Sequence, residues 1–187
     1  MDEKSQLLKQ LSYVNATRRR RQEVAVHVLE HPGMFPLLLE IALEEDPPLG
    51  SRACWVLEFV FRETPELLYP YMNSFVHRLK GARPESSIRP LAKICELILM
   101  AYYHKGKEKR SAPLTSLHKE IMTAACFDWL ISSEKVAPKA YSMQSLYLLG
   151  KDIPWIHGEL RALLEQSYAS GSPAYQARAR LVLKKMP

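Results

Sequence analysis

Residues 33–62, GMFPLLLEIALEEDPPLGSRACWVLEFVFR, constrain the fold more than any other stretch of this chain. They read as two helices joined by a tight, proline-marked turn. The first helix is apolar at Phe35, Leu37, Leu38, Leu39, Ile41, Ala42 and Leu43, while Glu40, Glu44 and Glu45 recur at helical spacing on the wet face. Asp46-Pro47-Pro48-Leu49-Gly50 stops it, because proline lacks an N–H and disfavours a helical residue before it. Ser51, or Gly50 beside it, starts the next helix. At about 100° per residue, Ala53, Cys54, Val56, Leu57, Val60 and Phe61 fall on one broad face. Arg52, Trp55, Glu58, Phe59 and Arg62 fall on the other. An apolar arc that wide has to be covered by several neighbours.

Three features make residues 33–60 resemble a HEAT repeat, of the armadillo-like helical class. Pro36 sits early in the first helix and is followed by Leu37-Leu38-Leu39. Asp46-Pro47 closes the turn. Arg52 follows Asp46 by six residues. The resemblance implies a structural role for the Asp46–Arg52 pair, and an all-α, right-handed α-α superhelix of about five helix pairs. Pro70 lies 34 residues after Pro36 in a similar Leu-rich setting, a repeat signature. Only the 33–62 pair matches the family pattern closely.

The chain has 187 residues, 47% of them hydrophobic, which fits one helical-repeat domain over 1–187. Seven glycines are few, and strand-like alternation is hard to find. No run of about 18 uncharged apolar residues exists, so no membrane span is expected. Met1-Asp2-Glu3-Lys4 starts acidic with no apolar signal core, so export is not expected. Cys54, Cys95 and Cys126 are far apart, each in an apolar segment, which argues for reduced core thiols in the cytoplasm. The net charge of +6 favours an acidic partner, protein or nucleic acid, without choosing between them.

Along the chain, residues 3–13 suggest a short helix with Leu7, Leu8 and Leu11 inward. Asn15 or Thr17 caps the next helix, which runs from Arg18-Arg19-Arg20-Arg21 to His31-Pro32-Gly33. Thr64-Pro65-Glu66 starts another, continuing to Lys80-Gly81 with a kink at Pro70. Glu85-Ser86-Ser87 precedes its partner helix, Ile88 to Met100. His104 to Pro113 reads as a long basic loop. Residues 114–132 return to helix, with Leu117, Ile121, Ala124, Ala125, Phe127, Leu130 and Ile131 as core candidates. Residues 137–150 are nearly uncharged and read as a deeply covered helix. Two further helices follow, from about Ile153 to Ala169 and over 174–185.

Catalytic and metal motifs are weak. His27-Val28-Leu29-Glu30-His31 spells His-x-x-Glu-His, and the two imidazoles lie one turn apart with Glu30 as a base. Pro32 ends that helix at once, which places His31 against free carbonyls instead. No metal, cofactor or catalytic residue is assigned. Three cysteines and six histidines give no structural zinc spacing, and no phosphate loop or nucleophile elbow occurs. Short helical-repeat chains of this appearance are sometimes labelled adenylosuccinate lyase. That family is more than twice as long and has a Ser-Ser-x-Met-Pro-x-Lys-type loop, which nothing here matches.

A basic row carries more. Arg21, Arg52, Arg89 and Lys139 take corresponding early positions in four successive second helices. In a solenoid these helices line the concave face, where such residues contact phosphates or carboxylates. The alternative is a structural ladder in which each base pairs internally. The resulting expectation is a binding or scaffold module that holds a protein or peptide on its concave face. Trp55 and Phe59 serve as anchors, and Arg52, Arg62 and Arg89 as polar contacts. Nucleic-acid binding through the basic row and the Lys105–Arg110 loop is the alternative. HEAT-like alkylpurine DNA glycosylases are the architectural precedent, without a matching catalytic motif.

Overall fold

A computed structural model describes residues 2–44, 48–81, 85–104, 113–132 and 135–186. The chain is all-helical, and no strand occurs among the described residues. Its helices are α1 (Glu3–Ser12), α2 (Arg18–Glu30), α3 (Phe35–Glu44), α4 (Leu49–Glu63), α5 (Met72–Leu79), α6 (Glu85–Tyr103), α7 (Ser116–Ile131), α8 (Val136–Leu149), α9 (Trp155–Tyr168) and α10 (Pro173–Leu183). No single helix among the described residues is long and apolar enough to cross a membrane. The chain divides into two compact units, residues 1–91 and 92–187, with the boundary inside α6.

In the first unit α4 is the central element. It packs against α1, α2 and α3, while α1 also packs on α3, and α3 on α5. Ala53, Cys54, Val56, Leu57 and Val60 are fully buried, as the broad apolar arc requires. Leu7 and Leu11 of α1 are buried and Leu8 only half so. The α4 start differs from the Ser51 or Gly50 expected. Pro48 is the N-cap and Leu49 the first helical residue. A helix start needs no N–H from its cap, so proline is tolerated there. The Ser51 hydroxyl is thereby released, and it meets the hydroxyls of Ser86 at 2.8 Å and Ser87 at 2.9 Å on α6. The expected Asp46–Arg52 pair lies outside the described residues, because Asp46 does.

Residues 64–80 are not one kinked helix. Two 3-10 turns, Pro65–Leu67 and Tyr69–Tyr71, precede α5 at Met72. Each proline sits where its missing donor is not needed, Pro65 at the first and Pro70 at the second position of its own turn. Pro70 therefore lies within the second short turn, ahead of α5, instead of bending a continuous helix.

In the second unit α8 is central, packed on α7, α9 and α10. Met143, Leu146 and Leu149 are fully buried. The inward face of α7 is rotated from the expected one. Met122, Cys126 and Trp129 turn inward with Ile121, Ala125 and Leu130, whereas Leu117 and Ile131 are more than half exposed and Ala124 is exposed. Apolar residues surround α7 on most sides, so periodicity alone does not select its buried face. Cys54, Cys95 and Cys126 are free and buried. Burial pushes the Cys54 and Cys126 thiols up to about 12 and Cys95 well above its ordinary value, which leaves all three protonated and unreactive.

Candidate binding cleft

Within the first unit, α2, α4 and the first turns of α6 enclose an open cleft of about 630 Å³. Arg18, Arg21, Val26 and Leu29 come from α2, Phe59, Arg62 and Glu63 from α4, and Arg89 from α6. Glu58 lies at its base.

Glu58 organises the charge. The sequence places it on the wet face of α4, yet the residue is only 1% exposed. A buried carboxylate without partners is costly, so its two oxygens each take a guanidinium. Arg62 Nη2 donates to Oε1 at 2.6 Å, and Arg89 Nη2 donates to Oε2 at 2.6 Å. The first pair is the one the four-residue spacing predicts. The second joins residues 31 apart, and no local pattern in the sequence announces it. Both arginines keep substantial exposure above the carboxylate they cover.

Arg21 adds a third cation. Its guanidinium lies over the Trp55 ring, 4.9 Å from the centroid, and donates to the carbonyls of Asn15 and Ala16 before α2. Partial burial lowers its basicity, the neighbouring Arg89 charge lowers it further, and Glu58 opposes both. Arg21 and Arg89 therefore repel each other across a site in which Glu58 is the shared counter-charge.

Trp55 is half-buried and supports this group from behind. Its Nε1–H donates to the Ser86 carbonyl at 2.7 Å. That carbonyl is available because Pro90, four residues on within α6, has no N–H to return. The indole thus replaces a missing helical hydrogen bond. Phe59, half-buried, lines the cleft directly, and Trp55 does not.

The other expected contacts fall elsewhere. Arg52 Nη1 donates to the Ser12 carbonyl at 2.8 Å, tying α4 to the end of α1. Lys139 belongs to the second unit, beside a cavity of about 400 Å³ lined in part by Ile131 and Tyr175. No partner reaches it among the described residues. Arg21, Arg52 and Arg89 thus all have partners within the chain. Arg18, Val26 and Leu29 line the cleft without having been singled out in the sequence. Their signal is the α2 phase: Arg18, Gln22, Val26 and Leu29 follow one another at three- and four-residue spacing. The Lys105–Arg110 loop lies outside the described residues.

His27, Glu30 and His31 bring one ligand atom each to within 4.8 Å of one another. His31 caps α2, and its Nδ1 bonds the His27 carbonyl at 2.9 Å, as the Pro32 stop predicts. His27 Nε2 lies 3.3 Å from the Gln6 side-chain nitrogen, a donor. One nitrogen of each imidazole is therefore already engaged. Comparison with family models, with curated proteins and with solved structures finds no match for this chain.

Proposed function

We propose that this chain is a HEAT-like helical-repeat binding module, its helices stacked as a right-handed α-α superhelix. Its first unit holds an acidic, partly apolar protein segment in the α2–α4–α6 cleft. Two features support the architecture. The 33–62 pair carries the repeat pattern, and alternate helices pack on one another, α1 on α3, α3 on α5 and α2 on α4. Such next-but-one packing is how stacked helix pairs form two layers.

The observation that carries the binding reading is the doubly capped carboxylate of Glu58. It fixes Arg62 and Arg89 in place while leaving the cleft positive, since four arginines line it against two glutamates. Guanidinium forks are weakly hydrated and match carboxylates in pairs, so a partner acid is received by groups already oriented. A carboxylate between Arg21 and Arg89 also relieves their mutual repulsion. Phe59, Val26 and Leu29 supply apolar contact beside the charge. The module acts by binding: Glu58 is committed to two ion pairs and the thiols are inert.

Fluorescence anisotropy tests this with a labelled peptide in which Glu alternates with Leu, its Lys counterpart and a short DNA duplex. The acidic peptide binds and the basic one does not, and Phe59→Ala weakens the complex about tenfold. Duplex binding that exceeds the peptide's and falls steeply with salt would replace this reading with the nucleic-acid one.

A further inference from the structure

The second unit contains a site of opposite character. A cavity of about 430 Å³ is lined by Ser116, Glu120, Phe127, Asp152, Ile153 and Trp155, among others. We propose that this cavity receives the guanidinium group of an arginine from a protein partner, stacked on Trp155 and hydrogen-bonded to the carboxylates of Glu120 and Asp152.

Trp155 is the first residue of α9, set by Pro154 as N-cap. The Phe127 ring lies nearly parallel to the indole, 13° off, with centroids 5.9 Å apart. That stack holds the indole still, yet Trp155 remains 58% exposed. A single exposed aromatic needs no explanation, but one braced at the mouth of an acidic cavity is a preformed platform.

The charge around it is specific. Lys119 is the cation of the cavity lining, and its ammonium is already engaged. It bonds Asp152 Oδ2 and the Tyr102 hydroxyl, the latter at 3.1 Å, and lies 4.5 Å from the Tyr102 ring centroid. Tyr103 donates to the same Oδ2 at 2.8 Å. Both donors use one oxygen, so Oδ1 of Asp152 has no partner among the described residues. Glu120 is exposed and likewise has none. Glu120 and Asp152 leave the lining one negative charge in excess, on a chain whose net charge is +6. The partner group is therefore a cation.

Its shape follows from the rings. Phe127 and Trp155 are stacked, so they offer one flat face and not a box of walls. A planar guanidinium covers a flat face and presents N–H groups at its edge, whereas an ammonium does neither as well. Carboxylate oxygens at the rim accept those edge donors. Ile153 and Thr123 border the space for the aliphatic stem.

The test is nuclear magnetic resonance of the indole N–H groups of the three tryptophans, titrated with N-acetyl-arginine amide and N-acetyl-lysine amide. The signal removed by Trp155→Phe identifies Trp155. We expect that signal to move with the arginine ligand at several-fold lower concentration than with the lysine ligand. Glu120→Gln, a substitution at an exposed side chain, should weaken the response about threefold or more. An unmoved Trp155 signal, equal responses to the two ligands, or an unchanged response in Glu120→Gln would each overturn the proposal. A shift driven by protein concentration alone would make the occupant a second copy of the chain, and would also overturn it.

Discussion

Glu58 shows how strongly one side chain couples a surface to the core. Its carboxylate is buried, and Arg62 and Arg89, both partly exposed, satisfy one oxygen each. Removing either arginine leaves the carboxylate one partner and lets water reach the other side. Each single alanine substitution should cost less than about 1.5 kcal/mol. Removing both leaves a buried charge unpaired, which costs about 3 kcal/mol or more. Urea denaturation of Arg62→Ala, Arg89→Ala and the double variant should therefore show a loss larger than the sum of the singles. Simple additivity would mean that Glu58 does not depend on this pair. Asp152 gives a second residue-scale outcome. The Lys119 hydrogen bond holds its carboxyl below the usual value of 3.8, Tyr103 adds to this, and desolvation opposes it. A carboxyl depressed by folding contributes stability that is complete above its unfolded pKa and disappears as pH falls through the folded one. Asp152→Asn should therefore narrow the difference in melting temperature between neutral pH and pH values below about 4. A difference equal to that of the parent chain would remove Asp152 from the acid response.

At the scale of elements, α4 and α7 mark what the sequence reveals and what it hides. The α4 face was legible because its apolar residues form one arc, and Cys54, Val56, Leu57 and Val60 are fully buried as expected. In α7 apolar residues spread round the helix, so neighbours decide which of them turn inward. Leu117 and Ile131 lost that choice to Met122 and Cys126. Glu58 was misplaced for a different reason: its burial depends on Arg89, on another helix. The α4–α6 junction adds a test. In the parent chain Trp55→Phe leaves the Ser86 carbonyl without its donor, at a cost of about 1–3 kcal/mol. In a Pro90→Ala background the backbone N–H gained at that position can satisfy the carbonyl as an ordinary helical bond. Trp55→Phe should then cost measurably less, and a double-mutant cycle in urea would show the coupling. Equal costs in both backgrounds would show that the indole does not replace a helical donor.

For the whole molecule, the helical class and the approximate course of the helices were legible from proline-marked turns and helical spacing. The partition into residues 1–91 and 92–187 was not, because its boundary lies inside helix α6. The candidate cleft was half-legible. Arg21, Phe59, Arg62 and Arg89 meet around it, whereas Arg52 turns to α1 and Lys139 belongs to the other unit. Helical spacing placed each arginine on its helix, but partner carbonyls for Arg21 and Arg52, and the Glu58 carboxylate for Arg62 and Arg89, decided where each guanidinium points. The α2–α4–α6 cleft is proposed to bind an acidic, partly apolar segment. Selection of a displayed random-peptide library against the chain, with counter-selection against a variant carrying Arg18→Glu and Phe59→Ala, measures that binding. Neither residue takes part in the Glu58 ion pairs, so the variant should fold. Enriched peptides should combine acids with large apolar residues and bind the parent chain at least about tenfold more tightly than the variant. Enrichment of basic peptides, or of acidic ones that bind both proteins equally, would contradict it.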